Sequence, residues 1–245
     1  MPLSPEQKKQ NSELWNEVFH TDPKHTKEVK GKGMPMTAID AQWQRQRATQ
    51  MFGPCGIGWR VENERFFEIV FDPNKPHDTN WGYQGILVYE YNGREGRIPL
   101  AADMALWQYL TKESRYKKNT DILKKLKTDA LTKGLSEIGF SGDVFLGLFE
   151  DSKYVQEMDN QFRSEEIEEE NLIKEPLLER IDALEARLKE VSGGKISEED
   201  ICAVRITYIK SSQWPPNRLS IPLKNLQAYE VRLANAIEKQ QGKAA

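Results

Sequence analysis

The side chains best suited to chemistry in this sequence are basic, and they concentrate in one stretch. Residues 112–133 hold eight Lys or Arg against three acidic side chains, a local net charge of +5 in a 245-residue chain whose net charge is −3. Clustered Lys and Arg create a positive potential that attracts polyanions. The candidate anion-binding residues of this stretch are Lys124, Lys125, Lys127, Thr132 and Lys133.

A second candidate group lies on a short polar helix predicted within AIDAQWQRQRATQMFG, residues 38–53. Thr37 is a possible N-cap, and Gly53-Pro54 ends the segment. The helix carries Arg45 and Arg47, whose guanidinium groups either stay in water or bind a phosphate backbone. Trp43 either packs beneath the helix or stacks on a base.

The sequence contains few residues or motifs that would support catalysis, metal binding or nucleotide binding. There are three His and two Cys, no CxxC pair, no G-x-S-x-G or H-E-x-x-H motif, and no G-x-x-x-x-G-K-[ST] nucleotide loop. The glutamate-rich run at residues 165–170 could bind a cation in principle, but a run of like-charged side chains is usually a solvated surface. We therefore expect no enzymatic activity, no cofactor and no metal site.

The candidate residues need rigid elements to position them. Apolar residues recur at spacings of three and four from Ile122 to Ile138, which predicts a long helix over 117–138 with its apolar face on a core. Lys118, Lys125 and Thr132 fall on the opposite face, which is free to meet an anion. Gly139 marks the end of the helix. Between Gly56 and Leu100 the period is close to two, and Asn92-Gly93 is a strong hairpin signal. The predicted fold is α+β, a three-stranded antiparallel β-meander packed by the long helix.

The predicted organisation has three parts. Residues 1–36 form a short helix and a loop with several lysines, residues 37–155 form the core, and residues 156–245 form an acidic helical region for oligomer or partner contacts. No apolar run reaches the roughly 18 residues of a membrane span, and the N-terminus lacks the apolar stretch of a secretory signal. A cytoplasmic location is therefore expected.

Several motifs occur in order along residues 37–155. They are TAIDAQWQRQRATQMFGPCGIGW, a three-strand meander, and KLKTDALTKGLSEIGFSGDVFLGLFEDSKYV. Met51-Phe52-Gly53, Gly58-Trp59, Asp129-Ala130-Leu131, Gly139-Phe140 and Asp151-Ser152-Lys153-Tyr154 are the matching positions. This pattern resembles the Rad-fifty-two-type single-strand annealing proteins, particularly their phage recombinase members within the Sak/Erf-like superfamily.

The resemblance implies a β-β-β-α core that assembles into rings or helical filaments. Single-stranded DNA would lie in a positively charged outer groove and be annealed to its complement during recombination and repair, without nucleotide consumption. The two adjacent basic contact positions of the family fall on Thr132 and Lys133, and Arg45 and Arg47 form a second contact group by analogy of position. In the host bacterial cytoplasm, a single-strand binding protein or a phage exonuclease would be a partner of the C-terminal region.

Two other functions stay open. The acidic helices could make the protein a non-enzymatic scaffold for partner proteins, with the basic surface only balancing charge. A sequence-specific regulator of duplex DNA ranks last, because the sequence shows no helix-turn-helix pair.

Overall fold

A computed structural model describes residues 3–29, 36–75, 77–211 and 213–241. Contacts between Cα atoms divide the chain into two compact units, Met1–Asp159 and Asn160–Ala245. Part of the predicted N-terminal lysine loop, residues 30–35, lies outside the described ranges. The described part of that segment is not simply a loop, because residues 26–29 form a strand.

The first unit begins with a helix and a small hairpin and continues into a sheet and a second helix layer. Its elements in chain order are α1 (Pro5–Val18), β1 (Thr26–Val29), β2 (Met36–Ile39), α2 (Ala41–Phe52), β3 (Trp59–Val70), β4 (Thr79–Tyr91), β5 (Arg94–Ala105), β6 (Trp107–Leu110), β7 (Arg115–Lys118), α3 (Ile122–Ser136) and α4 (Gly142–Phe145). Helix α5 (Ser152–Val191) follows and contributes its first residues to this unit.

Strands β3, β4 and β5 form an antiparallel sheet in that order, which confirms the predicted meander and the α+β fold. Asn92 and Gly93 connect β4 to β5 with φ values of 50° and 71°, as a type I′ hairpin requires. Strand β3 contains a β-bulge between Glu62 and Arg65. A bulge re-aims the side chains beside it, and here it includes Glu64.

Helix α3 covers the sheet, as the apolar spacing predicts. Its buried residues include Leu126, Ala130 and Leu135, which share one core with Leu87 and Leu100 of the sheet. Each fully buried Leu contributes about 1.5–3 kcal/mol relative to exposure. This face therefore fixes α3 on the sheet and leaves its polar residues on the outer side.

The predicted start of α3 is wrong by five residues. Lys117 and Lys118 belong to β7, which pairs with β6 in a separate two-stranded hairpin absent from the prediction. Helical spacing alone cannot detect this boundary, because basic residues are compatible with both a helix and an exposed strand. Asp121 stands at the N-cap, and Ile122 is the first residue of α3.

The segment that follows α1 is tied to α4 and to the start of α5 through a buried carboxylate. Asp143 accepts hydrogen bonds from the backbone N–H and the hydroxyl of Thr21, at 2.8 and 2.6 Å, and from the Tyr154 hydroxyl at 3.0 Å. Burial, followed by the negative charge of Asp143, raises the pKa of Tyr154. Because all three groups are satisfied by one another, the network holds the first and last parts of this unit together.

The second unit is helical, in agreement with the prediction for the C-terminal region. It contains the remainder of α5, α6 (Glu198–Ile209) and α7 (Leu223–Gln241), with a core that includes Ile181, Leu226 and Tyr229. Ser197 caps α6 in a capping box with Asp200. Helix α5 begins at Ser152, earlier than the composition shift near Arg163 indicated. None of the helices in the described residues is long and apolar enough to span a bilayer.

Candidate nucleic-acid interface

Helix α2 supplies one side of a groove and owes its position to local signals at both ends. The Asp40 carboxylate accepts a hydrogen bond from the N–H of Gln42 at 2.8 Å, so Asp40 is the N-cap, and the predicted cap Thr37 lies in β2 instead. Gly53 ends the helix with a φ of 91°, a conformation that favours glycine. The chain then turns directly into β3.

Helices α2 and α3 and strand β3 enclose an open cleft of about 870 Å³. Arg45 and Lys124 line it from the two helices, Arg60 and Glu64 from the strand. The other polar side chains along its walls are Gln42, Gln46, Thr49, Lys127 and Thr128.

The cleft continues along α3 through two further depressions. The next one, of about 510 Å³, shares Lys124 and Thr128 with the first, and a third of about 420 Å³ shares Asp121 and Lys125 with the second. We call the three together the basic groove. It is lined by seven basic and three acidic side chains, namely Arg45, Arg60, Lys117, Lys118, Lys124, Lys125, Lys127, Glu64, Asp121 and Asp129.

The negative charge of Glu64 on β3 is compensated by Lys127 from the opposite wall of the groove. The Glu64 carboxylate lies 2.7 Å from the Lys127 ammonium and accepts a hydrogen bond from the Tyr83 hydroxyl at 2.9 Å. Burial opposes ionisation of Glu64, but the hydrogen bonds from Lys127 and Tyr83 outweigh it and lower the pKa of the carboxyl. Lys127 is therefore partly committed to Glu64 and is a weaker attractor for an incoming anion.

Arg60 is held in a charged network on the sheet. Its guanidinium donates to Glu62 at 2.7 Å, and Glu62 also accepts from Arg97 at 2.8 Å. Hydrogen bonds from Arg97 and then Arg60 lower the pKa of Glu62. The network orders Arg60 at the groove wall. It also shares the charge of Arg60 with a carboxylate.

The remaining lysines of α3 differ in their partners. Lys125 donates to the side-chain carbonyl of Asn119 at 2.8 Å and forms no ion pair with the residues that the structure describes. Lys133 forms a 2.8 Å ion pair with Asp129 one turn earlier. In the described ranges no acidic side chain lies within 4.0 Å of the Lys124 ammonium. Lys124 is exposed and lines both of the first two depressions, so it is the strongest candidate for a phosphate contact.

The structure brings together five of the eight residues proposed from sequence. Arg45, Lys124, Lys125, Lys127 and Thr132 line the basic groove. Lys133 lies on the same helix and pairs with Asp129 of the groove.

Two of the residues proposed from sequence, both on α2, are not part of the groove lining. Arg47 donates to the backbone carbonyl of Glu17 at 3.0 Å and to Gln50, so it joins α2 to α1. Trp43 is buried and stacks on His25 with ring centroids 5.5 Å apart. Of the two alternatives left open for Trp43, packing beneath the helix is the one that the structure shows.

Sequence reasoning missed Arg60 as a member of the groove, and it placed Lys117 and Lys118 on the long helix, whereas they belong to β7. Arg60 follows the Gly58-Trp59 entry into β3, and only the tertiary position of α3 reveals that it faces the same cleft. In the described residues, no three His, Cys, Asp or Glu side chains are grouped closely enough to hold a metal ion.

Comparison of the sequence with models of known protein families gives no match, and comparison with curated proteins gives none either.

Proposed function

We propose that this protein binds single-stranded DNA in the basic groove and anneals complementary strands without ATP. The observation that carries the proposal is the concentration of seven basic side chains along three continuous depressions, in a chain with an overall charge of −3. A groove that is open and elongated fits a linear polyanion better than a small molecule, which usually occupies a concave and mostly apolar pocket.

An annealing protein must bind single-stranded DNA of any base sequence. Phosphate contacts supply affinity without reading bases, and they leave base edges available for pairing. The lysines of α3 provide such contacts from one rigid helix. The sequence resemblance to single-strand annealing proteins supports the same function, in recombination and repair, and a phage protein of this kind would act in the host cytoplasm.

Assembly into a ring or filament is part of the proposal. Strands β3 and β5 are the outer strands of the sheet, each 12 residues long, and unpaired strand edges are a template for another chain. Large apolar side chains are exposed at the end of β3, namely Val70 and Phe71. Repetition of the groove in neighbouring copies would turn a few cations per chain into a continuous track for the strand.

The C-terminal unit supports a second candidate function, recruitment of partner proteins. Ile167, Leu172 and Ile173 of α5 are more than half exposed in a segment rich in Glu. In the annealing proposal these residues serve as an adaptor for a host single-strand binding protein or a phage exonuclease. In the scaffold alternative they are the main functional surface.

Purified protein should bind a single-stranded oligonucleotide with a log affinity that falls linearly with log salt. The slope should have a magnitude of about 0.7 for each neutralised phosphate. The protein should also accelerate pairing of complementary oligonucleotides without nucleotide, and electron microscopy should show rings or filaments with the strand bound. Binding that ignores salt, or no acceleration of pairing, would reject annealing and favour the scaffold.

Glu64→Gln should strengthen strand binding. The substitution removes the carboxylate that engages Lys127, so one more cation becomes available to phosphate, and the salt slope should steepen by about 0.7. Affinity measured by fluorescence anisotropy at several salt concentrations provides the test.

Glu68→Gln is the matched control for this variant. Glu68 lies on the same strand and is exposed outside the groove lining, and its replacement changes the net charge equally. Equal gains in both variants would show that overall charge, rather than release of Lys127, governs binding.

A further inference from the structure

The β6–β7 hairpin has one aromatic face. Its register pairs Trp107 with Lys118 and Tyr109 with Tyr116, and cross-strand partners point to the same side of a two-stranded sheet. The rings of Tyr109 and Tyr116 are 5.1 Å apart and about half exposed, at 52% and 46%. The other face of the hairpin carries Lys117 and its partner Gln108.

A planar ring already occupies part of this face. His77, from the loop between β3 and β4, stacks on Tyr116 with ring centroids 4.0 Å apart and an angle of 8° between the planes. The same imidazole meets Trp107 edge-on at 4.8 Å. The hairpin face therefore accommodates a flat heteroaromatic group in parallel contact, which is the geometry that a nucleobase adopts on a tyrosine.

The aromatic face is continuous with the basic groove. Trp107 and Lys118 line the third depression, and the Lys118 ammonium lies 5.9 Å from the centre of the Trp107 ring. Lys117 and Lys125 line the same depression. Trp107 and Lys118 share the aromatic face with the next same-side pair, Tyr109 and Tyr116, so the tyrosine rings stand one pair away from the end of the groove.

We propose that Tyr109 and Tyr116 form a stacking platform for unpaired bases of the strand held in the basic groove. Charge and shape both favour this occupant, because cations beside exposed rings match a phosphate backbone beside flat bases. Duplex DNA does not fit the platform, since its base faces are covered by neighbouring pairs. The platform would favour single strands and be vacated as bases pair with their complement.

This inference rests on the proposed DNA-binding function and adds a base contact to it. The two are separable, because phosphate contacts persist when bases are absent. We therefore compare an oligodeoxyadenylate with an abasic deoxyribose-phosphate oligomer of the same length, which presents the same charge and no base.

The wild-type protein should bind the abasic oligomer about tenfold or more weakly than the oligodeoxyadenylate, since removal of one aromatic stacking partner typically costs about 5- to 150-fold. The double variant Tyr109→Ala/Tyr116→Ala should bind the oligodeoxyadenylate at least about tenfold more weakly and the abasic oligomer unchanged. A 2-aminopurine base in the strand should lose fluorescence on binding to the wild type and keep it with the variant.

Two further double variants control for shape and folding. Tyr109→Phe/Tyr116→Phe keeps both rings and should bind like the wild type, whereas replacement of both by Leu keeps apolar bulk without a flat ring and should bind like the Ala variant. Thermal unfolding of each variant shows whether the fold is retained. Lys124→Ala should weaken binding to both oligomers equally.

The outcomes separate the two proposals. Wild-type protein that binds both oligomers equally, or an Ala variant that binds oligodeoxyadenylate normally, overturns the platform and leaves groove binding intact. An Ala variant that is folded and loses affinity equally for both oligomers also overturns it, because the tyrosines would then act through the backbone. Wild-type protein that binds neither oligomer overturns both proposals.

Discussion

Replacement of Arg45 and Lys124 by Glu is expected to lower affinity for single-stranded DNA by at least about a hundredfold at moderate salt. The two residues line the first depression of the basic groove from α2 and α3. In the proposed binding mode, each substitution removes one phosphate contact and adds a charge that repels the strand. The salt slope should therefore fall in magnitude by about 1.4, the value for two phosphates on a single strand.

Substitutions at Arg45 and Lys124 test strand binding more directly than substitutions at Lys127 or Arg60 would. Lys127 and Arg60 form ion pairs with Glu64 and Glu62, so their replacement would leave carboxylates uncompensated and mix a loss of stability with a loss of binding. Among the described residues, Arg45 makes a single side-chain hydrogen bond, to Gln42, and at 3.5 Å it is at the limit of hydrogen-bond distance. Its reversal is expected to perturb the fold little.

Lys8→Glu/Lys9→Glu is the matched control. Both lysines are exposed on α1, outside the groove lining, and the variant changes net charge by the same amount. Anisotropy titrations of both variants across a range of salt concentrations give affinity and slope together. An equal loss of affinity in the control would mean that the field of the whole protein, rather than the groove, holds the strand.

The sequence predicts best those parts of the fold that local signals determine. Asn92-Gly93 dictates a tight hairpin because both positions need positive φ, and the register of β4 and β5 follows from it. The apolar spacing of Leu126, Ala130 and Leu135 likewise predicts which side of α3 meets the sheet. In both cases the information lies within a few residues of the element itself.

The groove was less predictable because its members converge from separate elements. Arg45 and Arg47 are two residues apart, so their side chains point about 200° apart around α2, and only the packing of the helix decides which one faces the cleft. The ion pair between Glu64 and Lys127 joins β3 to α3, and Glu64 lies within a bulge that has no clear sequence signal. Thr132 and Lys125 were predictable because they oppose the apolar stripe of α3.

Gly58→Ala is expected to cost about 3 kcal/mol of unfolding free energy. A Cβ atom at this position would lie 1.6 Å from the carbonyl oxygen of Phe52, and no side chain can rotate away to relieve a clash with the backbone. Either the end of α2 or the start of β3 must shift. Overpacking of this kind typically costs about 1–3 kcal/mol, and more where relaxation is restricted.

Relaxation at Gly58 is restricted by hydrogen bonds on both sides. The N–H of Gly58 donates to the carbonyl oxygen of Pro54 at 2.9 Å. The carbonyl oxygen of Gly58 accepts from the N–H of Glu90 at 3.0 Å, which ties the turn to β4. Ile57→Ala is the control, since Ile57 belongs to the same turn and is 75% exposed, so its truncation should change stability by about 0.5 kcal/mol or less. Urea unfolding of the two variants measures the difference, and equal midpoints would contradict the steric argument.

Strand binding should weaken in Gly58→Ala for the same reason. The Trp59 indole donates to the Thr49 hydroxyl at 3.2 Å, and both side chains line the first depression, so this turn sets the distance between α2 and β3 at the groove wall. A shift of α2 would change the position of Arg45 relative to the cations of α3, although no charge has been removed. Reduced affinity with an altered salt slope in folded Gly58→Ala, and normal binding in Ile57→Ala, would show that the geometry of the groove matters as well as its charge.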